Sequence, residues 1–211
     1  MPDGQKTEKT RARVLKTLDD ARKIRRRFLL ALEEAEKTTD AREQAELLTF
    51  VIIGGGPTGV ELAGILPTIA RKGFRRDFRR IDLNKVRVIL LEGGPRLLPT
   101  FSEPLSRRAF ADLVVLGVQC RTNARVTDVT PDGVFIGDEW IGARTIFWAA
   151  GNAASPLMAS MGIPIDRAGR ALVAEDLSVP GYPHVFVIGD AAAVPMKGQF
   201  VPALAAAATQ M

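Results

Sequence analysis

The sequence has one cysteine, one histidine and no long apolar run. A single cysteine excludes an intramolecular disulfide framework and a Cys-x-x-Cys redox pair, and it fits a reducing compartment. No apolar run approaches the roughly 18 residues that cross a membrane. The N-terminus, MPDGQKTEKTRARV, lacks the apolar core of a secretory signal. We therefore expect no spanning segment, and we expect no metal site.

The charge of the chain is moderate and mixed in sign. Its 211 residues carry a formal net charge of +5, and 46% hydrophobic and 25% charged residues are ordinary for a soluble globular protein. Three successive arginines, residues 25–27, lie in a stretch with helical apolar spacing that also contains several acids. We interpret this run as a solvated helix face and expect no nucleic-acid partner.

A second basic run, RKGFRRDFRR at residues 71–80, places Phe74 and Phe78 four residues apart. A basic patch with two aromatic residues is compatible with contact to an anionic membrane surface. It is equally compatible with a solvent-exposed, mobile excursion, and the sequence does not separate the two interpretations.

The most informative stretch is FVIIGGGPTGVELAG, at residues 50–64. A β-branched and aromatic run predicts a buried strand, which leads through Gly-x-Gly-x-x-Gly into an apolar helix. In a dinucleotide fingerprint the first glycine makes the turn, the second admits the pyrophosphate and the third lets the helix pack closely on the strand. The helix N-terminus then faces the phosphates with unpaired N–H groups. The residues that we predict to bind a dinucleotide here are Gly54, Gly55, Gly56, Pro57, Thr58 and Gly59.

A second predicted strand, residues 86–91, ends at Glu92. An acid at this position accepts hydrogen bonds from the adenosine ribose hydroxyls and faces a 2′-phosphate with a like charge, so Glu92 favours NAD over NADP. Glu92 lies further from the glycines than the roughly 20 residues of the usual spacing. We assign the excess to an extended helix end and a loop over residues 71–85.

Glu61 follows the last glycine of the fingerprint by two residues. A carboxylate in the first turn of a helix is favoured by the helix dipole, which is the simpler explanation from spacing alone. Its position beside the glycine turn also suits contact with a bound cofactor.

Helix signals flank this stretch on both sides. Apolar spacing predicts a long helix from about Val14 to Ala35. Asp40, with Glu43 three residues on, predicts a capping box that opens a short helix. Ser102 is a predicted N-cap for a helix that ends near residue 116.

Short alternating runs follow from residue 118. The runs VQCRT, ARVTDVT, GVFIG and EWIGA predict a β-meander, inserted before a final strand over residues 146–150 that ends at Gly151. Further on, residues 185–188 predict a buried strand that ends in Gly189-Asp190. An acid after a glycine at a strand end can accept from ribityl or ribose hydroxyls, although a plain turn explains it as well.

The runs GGGPTGVELAG, LLEGGPRLLPTF, FWAAG and VFVIGDAA occur in this order. Together they resemble the flavoproteins with two dinucleotide-binding domains, and most of all the type II NADH dehydrogenases, which are single-subunit NADH:quinone oxidoreductases. The resemblance runs from about Leu15 to Met211. It implies that NADH passes a hydride to FAD, which passes two electrons on to a quinone.

The resemblance also implies roles for individual residues. Glu61 lies near the nicotinamide, which makes it the candidate catalytic residue, and Ala150 and Gly151 lie at the junction of the NADH and flavin domains. Gly189 and Asp190 belong to the motif that binds the ribityl and pyrophosphate region of FAD. Gln210 matches the first glutamine of the quinone-site helix, whereas Met211 stands where many members have a second one.

The implied fold is α/β: a Rossmann-like NAD-binding domain with an inserted β-meander, plus part of a second, FAD-binding domain. We expect residues 1–48 to be a tail and helices that lead in, residues 49–151 to bind NADH and residues 152–211 to form the partial FAD domain. The N-terminal flavin Gly-x-Gly-x-x-Gly unit and the C-terminal membrane segment of the family have no counterpart in this sequence. The chain is therefore expected to be a fragment of a longer enzyme.

The resemblance places the intact protein on the cytoplasmic face of the membrane, as a peripheral protein with quinone as its acceptor, and it leaves room for a homodimer. Two other functions share the motifs. One is a non-enzymatic NAD(H)-binding module, and the other is an NADH-dependent reductase of a ferredoxin-like protein. Flavin retained by the purified protein would distinguish the oxidoreductase from the binding module. Tests with different electron acceptors would distinguish it from the reductase of a ferredoxin-like protein.

Overall fold

Two units make up the computed structural model, Met1–Ala150 and Gly151–Met211, and each has its own apolar core. The residues that it describes are 13–14, 18–74, 77–151, 154–196, 198–201 and 205–211. Residues 18–47, expected to lead into the NADH-binding domain, lie in the first unit. They do so because their helices contribute buried side chains to the core of its sheet.

The sheet of the first unit consists of five strands in parallel register. They are β1 (Arg13–Val14), β2 (Thr49–Ile53), β3 (Arg87–Leu91), β4 (Val118–Arg121) and β8 (Thr145–Trp148). Their order across the sheet is β1-β8-β2-β3-β4, so the chain leaves β2 in one direction and later returns to its other side. This is the doubly wound arrangement, with its switch point between β2 and β8. The α/β prediction is confirmed.

Four helices belong to this unit: α1 (Leu18–Lys37), α2 (Ala41–Leu47), α3 (Pro57–Thr68) and α4 (Glu103–Val115). They share one core with the even-numbered side chains of β2 and β3. In this core the ring centroids of Phe28 and Phe50 are 4.8 Å apart. Asp40 caps α2 as predicted, since its carboxylate accepts from the amides of Arg42 and Glu43. The side chain of Glu43 instead accepts from the Thr38 hydroxyl, so the capping box is only half formed.

A three-stranded antiparallel meander covers the other face of the sheet. Its strands are β5 (Asp128–Thr130), β6 (Gly133–Ile136) and β7 (Glu139–Gly142), and Val134 and Ile141 are buried with the odd-numbered side chains of β2 and β3. The prediction was wrong for VQCRT, which does not belong to the meander. It forms β4, parallel to β3, with Val118 paired to Val88.

The N-terminal prediction needs a second correction. Val14 does not begin the long helix but lies in β1, where it pairs with Trp148 of β8. The free edge of β8 offers unpaired backbone groups that a short strand can satisfy. The described part of helix α1 begins at Leu18, which is exposed.

The segment between α3 and β3 contacts the rest of the first unit through apolar packing and hydrogen bonds. A π-helical turn, Ile69–Gly73, follows α3. Phe74 and Phe78 then pack against the core. Their two rings meet edge to face, with ring centroids 6.5 Å apart. Their rings are therefore turned inward and do not form an exposed aromatic anchor. The Glu36 carboxylate accepts from the backbone amides of Arg79, Arg80 and Ile81 at 2.9–3.0 Å.

The second unit is built from short elements. They are α5 (Leu157–Ser160), β9 (Ala171–Leu172), β10 (Ser178–Val179), β11 (Tyr182–Phe186), β12 (Ala192–Ala193), β13 (Pro195–Met196), β14 (Gln199–Phe200) and α6 (Ala205–Ala208). The expectation of a buried strand over residues 185–188 is wrong in part. Val187 is buried, but Phe186 is 61% and Ile188 57% exposed. The reason is that, among the strands that the structure describes, β11 pairs with β10 alone.

Candidate functional site

The glycine turn between β2 and α3 is closed by contacts that only glycine permits. Gly54 has φ +114°, and its amide donates to the Leu91 carbonyl at 2.8 Å. A Cβ at Gly54 would lie 2.7 Å from the Ala150 nitrogen, and one at Gly59 would overlap the Gly54 carbonyl oxygen. The first and third glycines therefore pack as the fingerprint requires. Their contact with a cofactor stays a prediction.

The second glycine borders open space. Gly56 is the N-cap of α3, and a Cβ built on it would meet no atom within 4 Å. Among the described residues, no side chain caps this helix end, and Pro57 at the first position has no N–H to offer. The free volume and the uncapped helix end leave room for a phosphate group and donors to bind it.

Glu92 reaches across from the end of β3 to the glycine turn. One carboxylate oxygen accepts from the Gly55 amide and the other from the Gly94 amide, both at 2.6 Å. Two charge-assisted hydrogen bonds fix the orientation of the carboxylate. Because each carboxylate oxygen has two lone pairs, each can still accept a hydrogen bond from a ligand hydroxyl.

The end of β8 completes the carboxyl edge of the sheet in this unit. The Ala149 amide donates to the Ile53 carbonyl, and the Trp148 indole donates to the Ala150 carbonyl, both at 2.8 Å. This indole contact was not predicted, although a tryptophan at the last position of a strand is a signal that could have suggested it. Gly151, the first residue of the second unit, has φ +77° and is exposed.

Glu61 lies further along α3 than expected. The helix starts at Pro57, so its first turn contains no acid and Glu61 falls in the second turn. The explanation from the helix dipole is thereby weakened, because the effect of the dipole fades beyond the first turn. Glu61 is exposed.

The second unit brings its predicted site residues close in space. Gly189 begins a 3-10 turn, Gly189–Ala191, with φ +65°, and Asp190 is exposed. The Gly189 amide donates to the sulfur of Met211 at 3.1 Å. Gln210 is exposed, next to Met211, at the end of the chain segment that follows α6. The Gly189-Asp190 turn and the segment that carries Gln210 are thus neighbours within this unit.

Other chemistries find little support. No group of three or more histidine, cysteine, aspartate or glutamate side chains within the described ranges could hold a metal ion. Cys120 is half-buried in β4, and desolvation raises the pKa of its thiol to about 11. A thiol with so high a pKa is a poor nucleophile. None of the helices in those ranges is long and apolar enough to cross a membrane.

The parallel sheet, the glycine turn and the acid after the second strand define a dinucleotide-binding domain of the doubly wound α/β class. The profile of the pyridine nucleotide-disulphide oxidoreductase family matches residues 3–211, and the chain belongs to this family.

Its relatives include two proteins of Mycobacterium tuberculosis. The type II NADH:quinone oxidoreductase Ndh is 43% identical over 205 residues, which are 93% of this chain and 43% of the relative. The type II NADH:quinone oxidoreductase NdhA is 44% identical over 191 residues, 86% of this chain and 41% of the relative. The chain therefore spans less than half the length of these curated relatives.

Solved structures agree with this assignment. The structure of NDH2 from Plasmodium falciparum in complex with NADH superimposes with a TM-score of 0.71 at 28% identity, covering 88% of this chain and 40% of that one. A putidaredoxin reductase–putidaredoxin complex, at 22% identity and a TM-score of 0.60, shares the fold.

Proposed function

We propose that this chain carries the NADH-binding part of a flavin-dependent NADH:quinone oxidoreductase. The observation that carries the proposal is the Glu92 carboxylate, held by the amides of Gly55 and Gly94 at the glycine turn. A carboxylate in that place accepts from the two ribose hydroxyls of an adenosine and repels a 2′-phosphate. The resemblance to a type II NADH:quinone oxidoreductase across 93% of the chain supports the same function.

In this proposal the pyrophosphate of NADH binds beside Gly56, at the uncapped N-terminus of α3, where the helix dipole favours negative charge. Thr58 lies in the first turn of the helix, two residues after Gly56, and is partly exposed. The residues that would hold NADH are Gly54, Gly55, Gly56, Pro57, Thr58, Gly59, Glu92 and Ala150, with Gly151 as a further cofactor contact.

The second unit is proposed to hold part of FAD. Asp190 is exposed after the Gly189 turn, so its carboxylate is available to ribityl hydroxyls. If bound, NADH would supply a hydride, and FAD would supply the route for two electrons from NADH to a quinone. The chain's own part is to hold and orient the cofactors. Glu61 is assigned to the nicotinamide end, and Gln210 to the quinone.

The proposal extends to location and assembly. A quinone acceptor dissolves in the bilayer, so the full-length protein is assigned to the inner face of the membrane as a peripheral protein. A homodimer is proposed as its assembly. The similarity to two NADH:quinone oxidoreductases supports the acceptor.

The first test is the visible absorption spectrum of the purified protein, before and after anaerobic addition of NADH. Flavin bands that bleach on addition would support the oxidoreductase. A colourless protein that binds NADH with micromolar affinity would support the NADH-binding part alone, with flavin bound elsewhere in the full-length enzyme. A protein that binds neither cofactor contradicts the proposal.

Electron acceptors separate the remaining alternative. With flavin bound and NADH present, a water-soluble quinone should be reduced faster than a ferredoxin-type iron–sulfur protein at equal concentration. The reverse preference would favour the alternative, an NADH-dependent reductase of a ferredoxin-like protein.

A further inference from the structure

We propose that Arg125 is a second specificity-determining residue at the adenosine end of the site, where it acts beside Glu92. This inference rests on the proposed function, because it assumes that Glu92 binds the adenosine ribose. It adds a cation, not anticipated from the sequence, to a site whose predicted residues include no cation.

The backbone brings Arg125 to this place. The backbone segments that follow β3 and β4 remain hydrogen-bonded to each other beyond the ends of the strands. The Ala124 amide donates to the Glu92 carbonyl, and the Asn123 amide to the Gly94 carbonyl, both at 2.8 Å. Asn123 adopts φ +53°, a left-handed conformation that asparagine tolerates better than most residues. Arg125 is the second residue after Asn123.

The Cβ and Cγ atoms of Arg125 lie close to Gly93, the residue that follows Glu92. A Cβ built on Gly93 would lie 3.8 Å from the Arg125 Cβ and 3.9 Å from its Cγ. Gly93 and Arg125 are both exposed, so the space above them is open to a ligand. A ribose on Glu92 would therefore have the stem of Arg125 as a neighbour.

Two nearby arginines, Arg96 after β3 and Arg121 at the end of β4, already have protein partners. Arg96 donates to the carbonyls of Phe101 and Pro99 at 2.9 and 2.7 Å. Arg121 forms a two-pronged ion pair with Glu139 at 2.7 and 2.6 Å. Within the described ranges, the Arg125 guanidinium forms no hydrogen bond or ion pair with a carboxylate or carbonyl. Its planar donor group therefore remains available to a bound nucleotide.

Two interactions suit a free guanidinium at this position. Its plane can stack on the adenine ring, a contact that an uncharged amide replaces poorly. It can also pair with a 2′-phosphate, but in the wild type the neighbouring Glu92 carboxylate opposes that anion. We infer that the preference for NADH depends on Glu92 outweighing Arg125, so that removal of the Glu92 charge reveals a latent affinity for NADPH.

The experiment measures dissociation constants of NADH and NADPH for four proteins: wild type, R125Q, E92Q and the double variant E92Q/R125Q. R125Q should weaken NADH binding by about two- to fivefold through the lost stacking. E92Q should shift the NADPH/NADH affinity ratio toward NADPH. Adding R125Q to E92Q should weaken NADPH binding by about tenfold, the value of one charge-assisted hydrogen bond.

The matched control is R108Q, which removes the same charge from an exposed arginine that pairs with Asp112 on α4. It should leave both dissociation constants unchanged. Because E92Q also loses one acceptor for the Gly55 or Gly94 amide, the effect of R125Q is compared only between proteins with the same residue at position 92. The effect of E92Q itself is taken from the NADPH/NADH ratio, and thermal unfolding confirms that each variant is folded.

Equal NADPH affinity of E92Q and E92Q/R125Q, together with unchanged NADH affinity of R125Q, would overturn the assignment of Arg125. A folded wild-type protein that binds no NADH at all would instead overturn the proposed function. The two failures are therefore distinguishable.

Discussion

The two units differ in how well their strands are covered. In the first unit every residue of β2 is buried, since helices pack on one face of the sheet and the meander on the other. In the second unit the longest strand, β11, is mostly exposed, and Phe186 and Ile188 are more than half accessible. Long-range packing specifies the first unit, whereas short turns and hairpins account for most of the second.

The glycines show the same contrast. In the first unit, side chains at Gly54 and Gly59 would collide with neighbouring backbone. In the second unit, Gly162 and Gly181 have positive φ, as Gly54 does, but a Cβ at either would meet nothing within 4 Å. The first pair holds two elements together, and the second pair only turns the chain.

Hydrogen exchange tests this contrast most directly. Amides of β2 and β3 should exchange only through global opening, at a cost of about 5 kcal/mol or more. Amides of β11 should exchange through local opening, orders of magnitude faster. Mass spectrometry of the whole chain after timed labelling measures both. Similar protection in β2 and β11 would mean that the second unit is as cooperative as the first.

Glycine substitutions sharpen the comparison at single positions. Gly59→Ala forces α3 away from the turn and should lower the free energy of unfolding by about 3 kcal/mol. Gly181→Ala meets no atom and should cost only the strain of its positive φ, about 1 kcal/mol. Urea unfolding of both variants gives the two values.

Gly56→Ala is the control for the first of these changes. Its φ of −73° suits any residue, and a Cβ there meets no protein atom. The variant should unfold like the wild type yet bind NADH at least tenfold more weakly, because the methyl group enters the space assigned to the pyrophosphate. Unchanged NADH affinity would contradict that placement.

The residues that the sequence predicted well are those whose chemistry is local. The turn between β2 and α3, the cap at Asp40 and the position of Glu92 at a strand end all depend on neighbours a few residues away. Burial of β2 followed from its unbroken apolar run, which is typical of a parallel strand covered on both faces.

The failures depend on partners that are distant in the chain. VQCRT alternates like a meander strand, and only its pairing with Val88 places it in the parallel sheet. Val14 has helical spacing in the sequence, yet it pairs with Trp148 at the edge of β8. The approach of Arg125 to Gly93 depends on hydrogen bonds between two loops, so no local pattern announced it.

The reactivity of Cys120 measures how readily β4, an edge strand of the sheet in the first unit, opens to solvent. Burial raises the pKa of its thiol from 9.0 to about 11. At pH 8 the thiolate fraction, and with it the rate of alkylation, should be about a hundredfold below that of an unperturbed thiol. Iodoacetamide labelling followed by mass spectrometry measures the rate, with the urea-unfolded protein as reference. Equal native and unfolded rates would mean that β4 opens readily.

The smallest expected effect concerns Glu36, which fastens residues 79–81 of the first unit. Desolvation raises the pKa of its carboxyl, but hydrogen bonds from the Arg79, Ile81 and Arg80 amides outweigh it and leave the pKa below its usual value. A carboxyl whose pKa is lowered by folding stabilises the native state at neutral pH. That contribution is lost as the pH falls through the native pKa.

Glu36→Gln should therefore lower the melting temperature at pH 7 and have progressively less effect as the pH falls through the acid range. The control is Glu34→Gln, a change to an exposed acid on the same helix. Scanning calorimetry of the three proteins across this range measures the difference. A deficit for Glu36→Gln that is the same at every pH would assign its role to shape alone, because an amide retains only one of the two acceptor oxygens at any pH.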